Sequence, residues 1–273
     1  MRSIHAAAVL ATCGLAASAV AYVEFVHTNG VPYSGWTGYV SAQDMGTNTG
    51  GTAVGTINPP IAAKDSFFTD GTYFYRVTSN GTGDAGQYNN LIVRYQSLAE
   101  LDAGTGGEVF PMNGYGMYYD DEIFADNVSG RFFRTTRYFP DGSVTVGMYA
   151  YNSFAELVNN QAFYASGFSN GPCEFDCQFW AWDGKFYRTN VSGATGSTTV
   201  TGINVYNSSE DLYNGVVAQT VPVTAGYAGS TRFFAIDSSL LPAPSCQGDL
   251  DGDGFVTGAD LGLLLANWGA CPQ

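Results

Sequence analysis

The segment Val93-Arg94-Tyr95-Gln96-Ser97-Leu98-Ala99-Glu100-Leu101 decides the fold, because it recurs along the chain. Related copies occupy Met148–Leu157 and Tyr206–Leu212, and a weaker copy occupies Tyr39–Met45. The last apolar residues of the four copies are separated by 56, 56 and 55 residues; they are Met45, Leu101, Leu157 and Leu212. A fixed period of this length indicates a fourfold structural repeat.

Every copy contains a serine followed three residues later by an acid. The pairs are Ser41 with Asp44, Ser97 with Glu100, Ser153 with Glu156, and Ser208 with Asp211. This is the spacing of a capping box, in which the serine oxygen accepts the backbone N–H of the third helical residue. We therefore expect a strand followed by a short helix in each repeat, and we interpret these acids as structural rather than catalytic.

Aromatic runs precede each of these segments. Runs that end in aspartate begin at Phe67, Ile123, Phe179 and Phe233, and a second aromatic run ending in arginine follows in three repeats, at Tyr73–Arg76, Phe132–Arg134 and Phe186–Arg188. Two aromatic-rich runs joined by a turn predict a β-hairpin. The repeating unit is therefore predicted to be largely β.

The two ends of the array complement each other. The N-terminal copy holds only the later strands and the capped helix, whereas the last copy stops at Asp237 after its first strand. A closed ring, in which the C-terminal strand completes the first blade, explains this offset and leaves no open edge. The prediction is an all-β fold, a four-bladed β-propeller over residues 22–240. Its period and layout resemble the hemopexin fold, whose blades each carry a short helix after the outer strand.

The N-terminus indicates export. Residues 1–21 combine Met1-Arg2 with a small apolar run from Ile4 to Ala19, as in a signal peptide; an uncleaved anchor is the alternative. Removal of Arg2 with this segment changes the formal net charge from −14 to −15. Such an acidic chain disfavours nucleic acid and anionic membrane surfaces as partners and favours cations. We expect a secreted or cell-surface attached protein with no membrane insertion after cleavage.

Four cysteines remain after loss of Cys13, which suits an oxidising compartment. Three pairings are open to the sequence, and we favour the two local ones, Cys173 with Cys177 and Cys246 with Cys271. Neither local pair has the spacing of a zinc knuckle, so a zinc site is disfavoured.

The chain changes character at the proline-bounded linker, residues 241–245, and the tail, residues 246–273, carries the most specific motif. Acidic oxygens fall at loop positions 1, 3, 5 and 12 with glycine at position 6, which is a calcium-loop pattern. The predicted Ca²⁺ ligands are Asp249, Asp251, Asp253, the backbone carbonyl of Phe255, Thr257 (directly or through water) and Asp260. The tail is thus predicted to be a small calcium-binding loop-helix module.

Aspartate at the last loop position, followed by the apolar run Leu261–Trp268, resembles the dockerin family rather than an ordinary EF-hand. The family's F-hand is a loop plus one helix that binds calcium and docks onto cohesin domains. The resemblance covers residues 246–273 and departs from the usual pattern in having one repeat rather than two. The flanking cysteines are similar to those of short dockerin-like tails in certain bacterial secreted proteins, and an anchoring role with a cohesin-like or cell-surface partner is what this implies.

Two features of the β domain are candidate sites. An exposed tryptophan among Trp180 and Trp182 would offer a stacking surface for a glycan ligand. The recurring Arg76, Arg134 and Arg188 either surround a common anion or, as we prefer, each pair with an acid such as Asp70, Asp126 or Asp183.

No nucleophile elbow, phosphate loop or dinucleotide fingerprint is present in the sequence, and His27 is the one histidine after residue 21. The hypothesis is a non-enzymatic binding or display protein anchored through its tail. The alternatives are a glycosidase-type enzyme with two catalytic carboxylates and the same tail, and a purely structural envelope protein.

Overall fold

The computed structural model describes residues 24–30, 32–61, 65–79, 90–112, 122–138, 145–167, 177–193, 197–237 and 258–266. The chain divides into two compact units. One is Val23–Leu241, and the other comprises Met1–Tyr22 with Pro242–Gln273. Within the described ranges, no helix combines the length and apolar character needed to cross a membrane.

The first unit contains four sheets of four antiparallel strands each. Blade 1 is β16 (Phe233–Ala235), β1 (Phe25–Asn29), β2 (Tyr33–Tyr39) and β3 (Thr52–Ile61), from the innermost strand outward. Blade 2 is β4 (Ser66–Thr69), β5 (Phe74–Ser79), β6 (Asn90–Tyr95) and β7 (Glu108–Pro111). Blade 3 is β8 (Ile123–Asp126), β9 (Arg131–Tyr138), β10 (Thr145–Tyr151) and β11 (Tyr164–Gly167). Blade 4 is β12 (Phe179–Trp182), β13 (Lys185–Ser192), β14 (Thr199–Tyr206) and β15 (Gln219–Pro222).

The predicted ring closure is confirmed. The C-terminal strand β16 pairs with β1, with Phe233 opposite His27 and Ala235 opposite Phe25. The four innermost strands contact one another in the cyclic order β16, β4, β8, β12 and back to β16. The unit is therefore a four-bladed β-propeller whose first blade is built from both ends of the array.

The innermost strands carry the aromatic runs because both of their faces are covered. All residues of β4, β8, β12 and β16 are buried. Aromatic rings meet edge to face within and between blades: Trp36 of blade 1 lies 4.8 Å from Phe67 of blade 2 and 5.5 Å from Phe234 of its own blade, centroid to centroid. The buried apolar residues form three clusters, each of which is shared by neighbouring blades.

The four capped helices are confirmed. They are α1 (Ala42–Thr47), α2 (Leu98–Ala103), α3 (Phe154–Val158) and α4 (Ser209–Asn214), and the side chain of the predicted serine accepts a backbone N–H at each start. In α2, Glu100 Oε2 also accepts the backbone N–H of Gln96 at 2.8 Å. Ser97 and Glu100 thus each accept a backbone N–H at the start of α2, which suits a helix too short to be stable alone.

Each helix extends from its own blade onto the blade before it. Helix α1 contacts β15 and α2 contacts β3. Phe154 of α3 packs against Phe110 of β7, and Tyr213 of α4 packs against Tyr164 of β11. The helices therefore link successive blades on the outside of the ring.

Two details differ from the sequence-based expectation. The repeat holds a fourth, outermost strand that the aromatic pattern did not predict, and the helix precedes this strand instead of following it. Three of the four outer strands, β7, β11 and β15, are only four residues long, and exposed side chains such as those of Glu108 and Val109 lie on them. They lack the apolar alternation that reveals a buried strand.

The substitution Phe234→Ala is expected to destabilise the seam of the propeller, where β16 pairs with β1. Phe234 is 2% exposed, and Phe234→Ala should lower the free energy of unfolding by about 3–5 kcal/mol, because a large cavity replaces an aromatic contact with Trp36. Urea denaturation measures the change. The control Val109→Ala, at a position 54% exposed on β7, should shift the free energy by about 0.5 kcal/mol at most. Equal effects of the two substitutions would contradict the assigned core.

The same seam is expected to weaken in mild acid. His27 is buried between Tyr39, Tyr227 and Phe233, and burial lowers its pKa from 6.5 despite a hydrogen bond to the Thr28 carbonyl. The folded state therefore favours the neutral imidazole. The contribution of His27 to the stability of the fold is complete above pH about 6.5 and is lost as the pH falls through the lower pKa that His27 has in the folded state. Urea unfolding from pH 7.5 to 5 should show this slope.

In the matched variant His27→Gln, the part of the slope that belongs to this imidazole should disappear. Identical pH profiles for the two proteins would show that His27 does not titrate on unfolding.

Candidate binding pocket between the third and fourth blades

A pocket of about 470 Å³ opens where blade 3 meets helix α4 of blade 4. Its inner wall is formed by Phe133 of β9 and Ala150 of β10, and its outer wall by Phe163 and Tyr164 at the start of β11. Arg131 and the residues Ser209, Glu210, Tyr213 and Asn214 of α4 complete the lining. The volume falls in the usual range of small-ligand sites.

Aromatic surface at the pocket is open to solvent. The side chains of Phe163 and Tyr164 are 48% and 44% exposed. The Tyr164 ring stacks on Tyr213 at 5.5 Å with an interplanar angle of 29°. The Arg131 guanidinium carbon lies 5.2 Å from the Phe163 ring centroid. The pocket therefore presents flat apolar faces beside a fixed cation.

The helix α4 is held in position by its ends and its buried face. Ser208 caps its start by accepting the Asp211 N–H at 3.0 Å, and Gly215 ends it with φ of 70°, a conformation that favours glycine. Leu212 is fully buried. With Leu212 fixed inward, the next residue, Tyr213, reaches the pocket.

Hydrogen-bonding groups surround the aromatic faces. Burial raises the pKa of the Tyr213 hydroxyl; a hydrogen bond with Ser209 and the charge of Arg131 act in the opposite direction, while Tyr164 and Glu210 add to the rise. Tyr213 therefore stays a neutral phenol that donates and accepts. With the guanidinium, the Glu210 carboxylate and the Asn214 amide, the pocket can bind a ligand through both ring faces and hydroxyl groups.

A second polar cluster lies where the innermost strands begin, and it includes Arg232, Glu122 and Asp65. We call this place the channel mouth. Arg232 Nη1 donates to Glu122 Oε1 at 2.8 Å, between blades that face each other across the ring. Arg76 Nε donates to Asp65 Oδ2 at 2.6 Å. Burial raises the pKa of Asp65, and Arg76 counteracts this in part. The Glu122–Arg232 pair is buried and links blades 1 and 3, whereas the Asp65–Arg76 pair lies within blade 2.

Arg76 pairs with an acid of its own blade, as predicted, but this acid is Asp65 and not Asp70. Arg134 and Arg188 lie over the rings of Tyr149 and Phe179, with guanidinium carbons 4.7 and 5.9 Å from the ring centroids. Position explains this, because Arg134 and Arg188 lie opposite the first residues of β8 and β12, and Arg76 lies opposite the second residue of β4. Asp70, Asp126 and Asp183 lie at the opposite ends of the inner strands, where Asp70, for example, accepts backbone N–H groups of its turn.

The expectation of an exposed tryptophan is also wrong. Trp180 and Trp182 are 2% and 6% exposed, because an innermost strand has a neighbouring blade on each face. Trp180 stacks on Tyr187 at 5.2 Å with the planes nearly parallel. Alternation along a strand separates core from solvent only where one face of the sheet is free. These side chains therefore belong to the core and not to a glycan site.

Of the six predicted calcium ligands, the structure describes Asp260 alone. It lies near the start of α5 (Gly258–Ala266) and is 2% exposed. The other predicted ligands, Asp249, Asp251, Asp253, Phe255 and Thr257, lie outside the described residues, and the ranges that are described contain no cluster of three metal-binding acids, histidines or cysteines. The calcium site stays a prediction from the sequence.

Cys177 is buried and disulfide-bonded. Its expected partner Cys173 lies outside the described residues, as do Cys246 and Cys271. The pairing therefore stays a prediction too.

The chain matches no protein-family model, and no curated protein is similar to it in sequence.

The Glu122–Arg232 pair gives a direct test of the channel mouth. Glu122→Ala should lower the free energy of unfolding by about 3–5 kcal/mol, because it leaves a buried guanidinium without its carboxylate. The control is Glu108→Ala, which removes the exposed partner of Arg94 and should cost about 1 kcal/mol at most. Urea titrations of both variants measure the difference, and an equal small loss would show that the channel pair does not link the blades.

Proposed function

We propose that this protein is a secreted, non-enzymatic binding protein, whose propeller holds a small ligand and whose tail anchors it through a calcium-dependent docking module. The observation that carries the binding role is the open aromatic pocket lined by Tyr164, Tyr213 and Arg131. Surface pockets that combine aromatic walls with a few convergent polar groups are typical ligand sites.

The closed ring supports a display role. The sixteen strands of the four blades bury most of their aromatic residues, and the helices fix successive blades to each other. A site on such a scaffold needs little ordering when its ligand arrives, so little of the interaction energy is lost.

The chemistry of the described carboxylates supports a non-catalytic role. Asp65 and Glu122 are the most buried acids at the channel mouth, and each accepts a hydrogen bond from an arginine at 2.8 Å or less. A glycosidase needs one carboxylate free to protonate a leaving group and a second free to attack or to activate water. Ion-paired, buried carboxylates are suited to holding blades together.

The anchoring role rests on the tail sequence. Asp249, Asp251, Asp253 and Asp260 have the calcium-loop spacing, and the following helix presents an apolar stripe that a partner can cover. Leu261 and Leu265 of this helix are 55% and 62% exposed. A cohesin-like domain or another cell-surface protein is the proposed partner.

Calorimetric titration of calcium tests the anchoring module. The full-length protein should bind one Ca²⁺, and Asp249→Ala combined with Asp253→Ala should weaken the affinity at least tenfold, because two of the charged ligands are lost. A chain ending at Pro242 should not bind.

The matched control for this titration is Glu108→Ala with Glu210→Ala, which removes two exposed acids of the propeller and should leave calcium affinity unchanged. Equal loss of affinity in the control, or retained affinity in the double aspartate variant, would contradict the calcium loop.

A further inference from the structure

The junction of blades 2 and 3 is equivalent to the junction that holds the pocket, but side chains fill it. At the junction of blades 2 and 3, the guanidinium carbon of Arg94 lies over three rings, 4.7 Å from Tyr73, 4.9 Å from Phe110 and 5.5 Å from Phe154. Its Nη2 donates to Glu108 Oε2 at 2.5 Å. Arg94 is thus the side chain that closes the space between these two blades.

Strand register identifies the equivalent position one blade later. Arg94 of β6 lies opposite Tyr75 of β5 and Glu108 of β7. Ala150 of β10 lies opposite Phe133 of β9 and Tyr164 of β11 in the same way. Ala150 therefore occupies the place of the arginine, and the pocket of this junction is lined by this small residue.

The first residue of the helix differs between the two junctions in the same way. Phe154 follows the capping residue Ser153 and packs into the junction of blades 2 and 3. The residue after the capping Ser208 is Ser209, which lines the pocket. At the junction of blades 3 and 4, small residues therefore occupy the two positions that hold an arginine and a phenylalanine at the junction of blades 2 and 3.

We propose that this pocket is a saccharide site that takes a neutral pyranose. The sugar ring lies with its C–H face against the stacked Tyr164 and Tyr213, and its hydroxyl groups bond to Arg131, Glu210 and Asn214. This rests on the proposed binding function and names its ligand class. The apolar faces of a pyranose match flat aromatic rings, while its equatorial hydroxyl groups require donors and acceptors at the rim of the same site.

The charges favour a neutral sugar over a charged one. The pocket holds one guanidinium and one carboxylate, so neither an anionic nor a cationic ligand is matched by the net charge of the site. The chain as a whole has a formal net charge of −14, which repels polyanionic glycans. A purely apolar ligand would leave Arg131, Glu210 and Asn214 unused.

Titration calorimetry with four disaccharides tests the proposal: cellobiose, maltose, N,N′-diacetylchitobiose and digalacturonate. At least one neutral disaccharide should bind at one site, more tightly than digalacturonate. Ala150→Arg, which restores the arginine of the filled junction, should weaken this binding at least tenfold. Tyr164→Ala, at a residue 44% exposed, should do the same.

The matched control is Val109→Arg, which adds the same side chain on an exposed outer strand away from the pocket and should leave affinity unchanged. Circular dichroism checks that each variant is folded. The proposal is overturned if no neutral disaccharide binds, if digalacturonate binds best, or if folded Tyr164→Ala binds like the parent. Calcium titration of the same samples separates this failure from failure of the anchor, because the tail and the propeller belong to different units of the chain.

Discussion

Pairing between β1 and β16 is the constraint on which the rest of the structure depends. It joins segments roughly 200 residues apart, yet loop-closure entropy rises by only about 0.6 kcal/mol per doubling of length, so this closure costs about 1 kcal/mol more than closure of one 55-residue repeat. Phe233 and Phe234, which the pairing carries into the ring, each contribute about 1.5–3 kcal/mol when buried. The aromatic core therefore outweighs the long connection, and the ring needs no covalent seam within its strands.

Much of this architecture could be predicted because it is repeated locally. The capping serines, the period and the offset between the ends of the array are visible in one sequence, and together they specify four blades and a shared first blade. The outermost strands escaped prediction because their side chains face solvent. Burial of Trp180 and Trp182 also escaped prediction, since strand alternation does not reveal whether a second blade covers the other face.

The backbone of the ring is more symmetric than its side chains. Thr28, Thr135 and Thr189 each accept a backbone N–H from the residue before an innermost strand, at 2.9, 3.1 and 2.8 Å. The residues that donate these bonds differ completely: they are Arg232, Glu122 and Gln178. Arg232 and Glu122 pair across the channel, whereas Gln178 bonds to backbone carbonyls of the chain near β16. The residues at equivalent positions of the blades thus differ and bond to other parts of the ring. A search for a motif shared by the repeats cannot detect such bonds.

The pocket arises from the same loss of equivalence and could not be read from the pattern of repeats. Its inner residue Ala150 is unremarkable in the sequence, and its meaning depends on the strand register that places it where Arg94 lies in the preceding blade. The arginine is peculiar to blade 2, because its equivalents in blades 1 and 4 are Gly38 and Val205. At the junction of blades 3 and 4, the stacking of Tyr164 on Tyr213 joins α4 to blade 3. A ligand in this pocket contacts aromatic and polar side chains of both blades, as Arg94 contacts rings of two blades one junction earlier, and this is the physical reason for locating the binding site there.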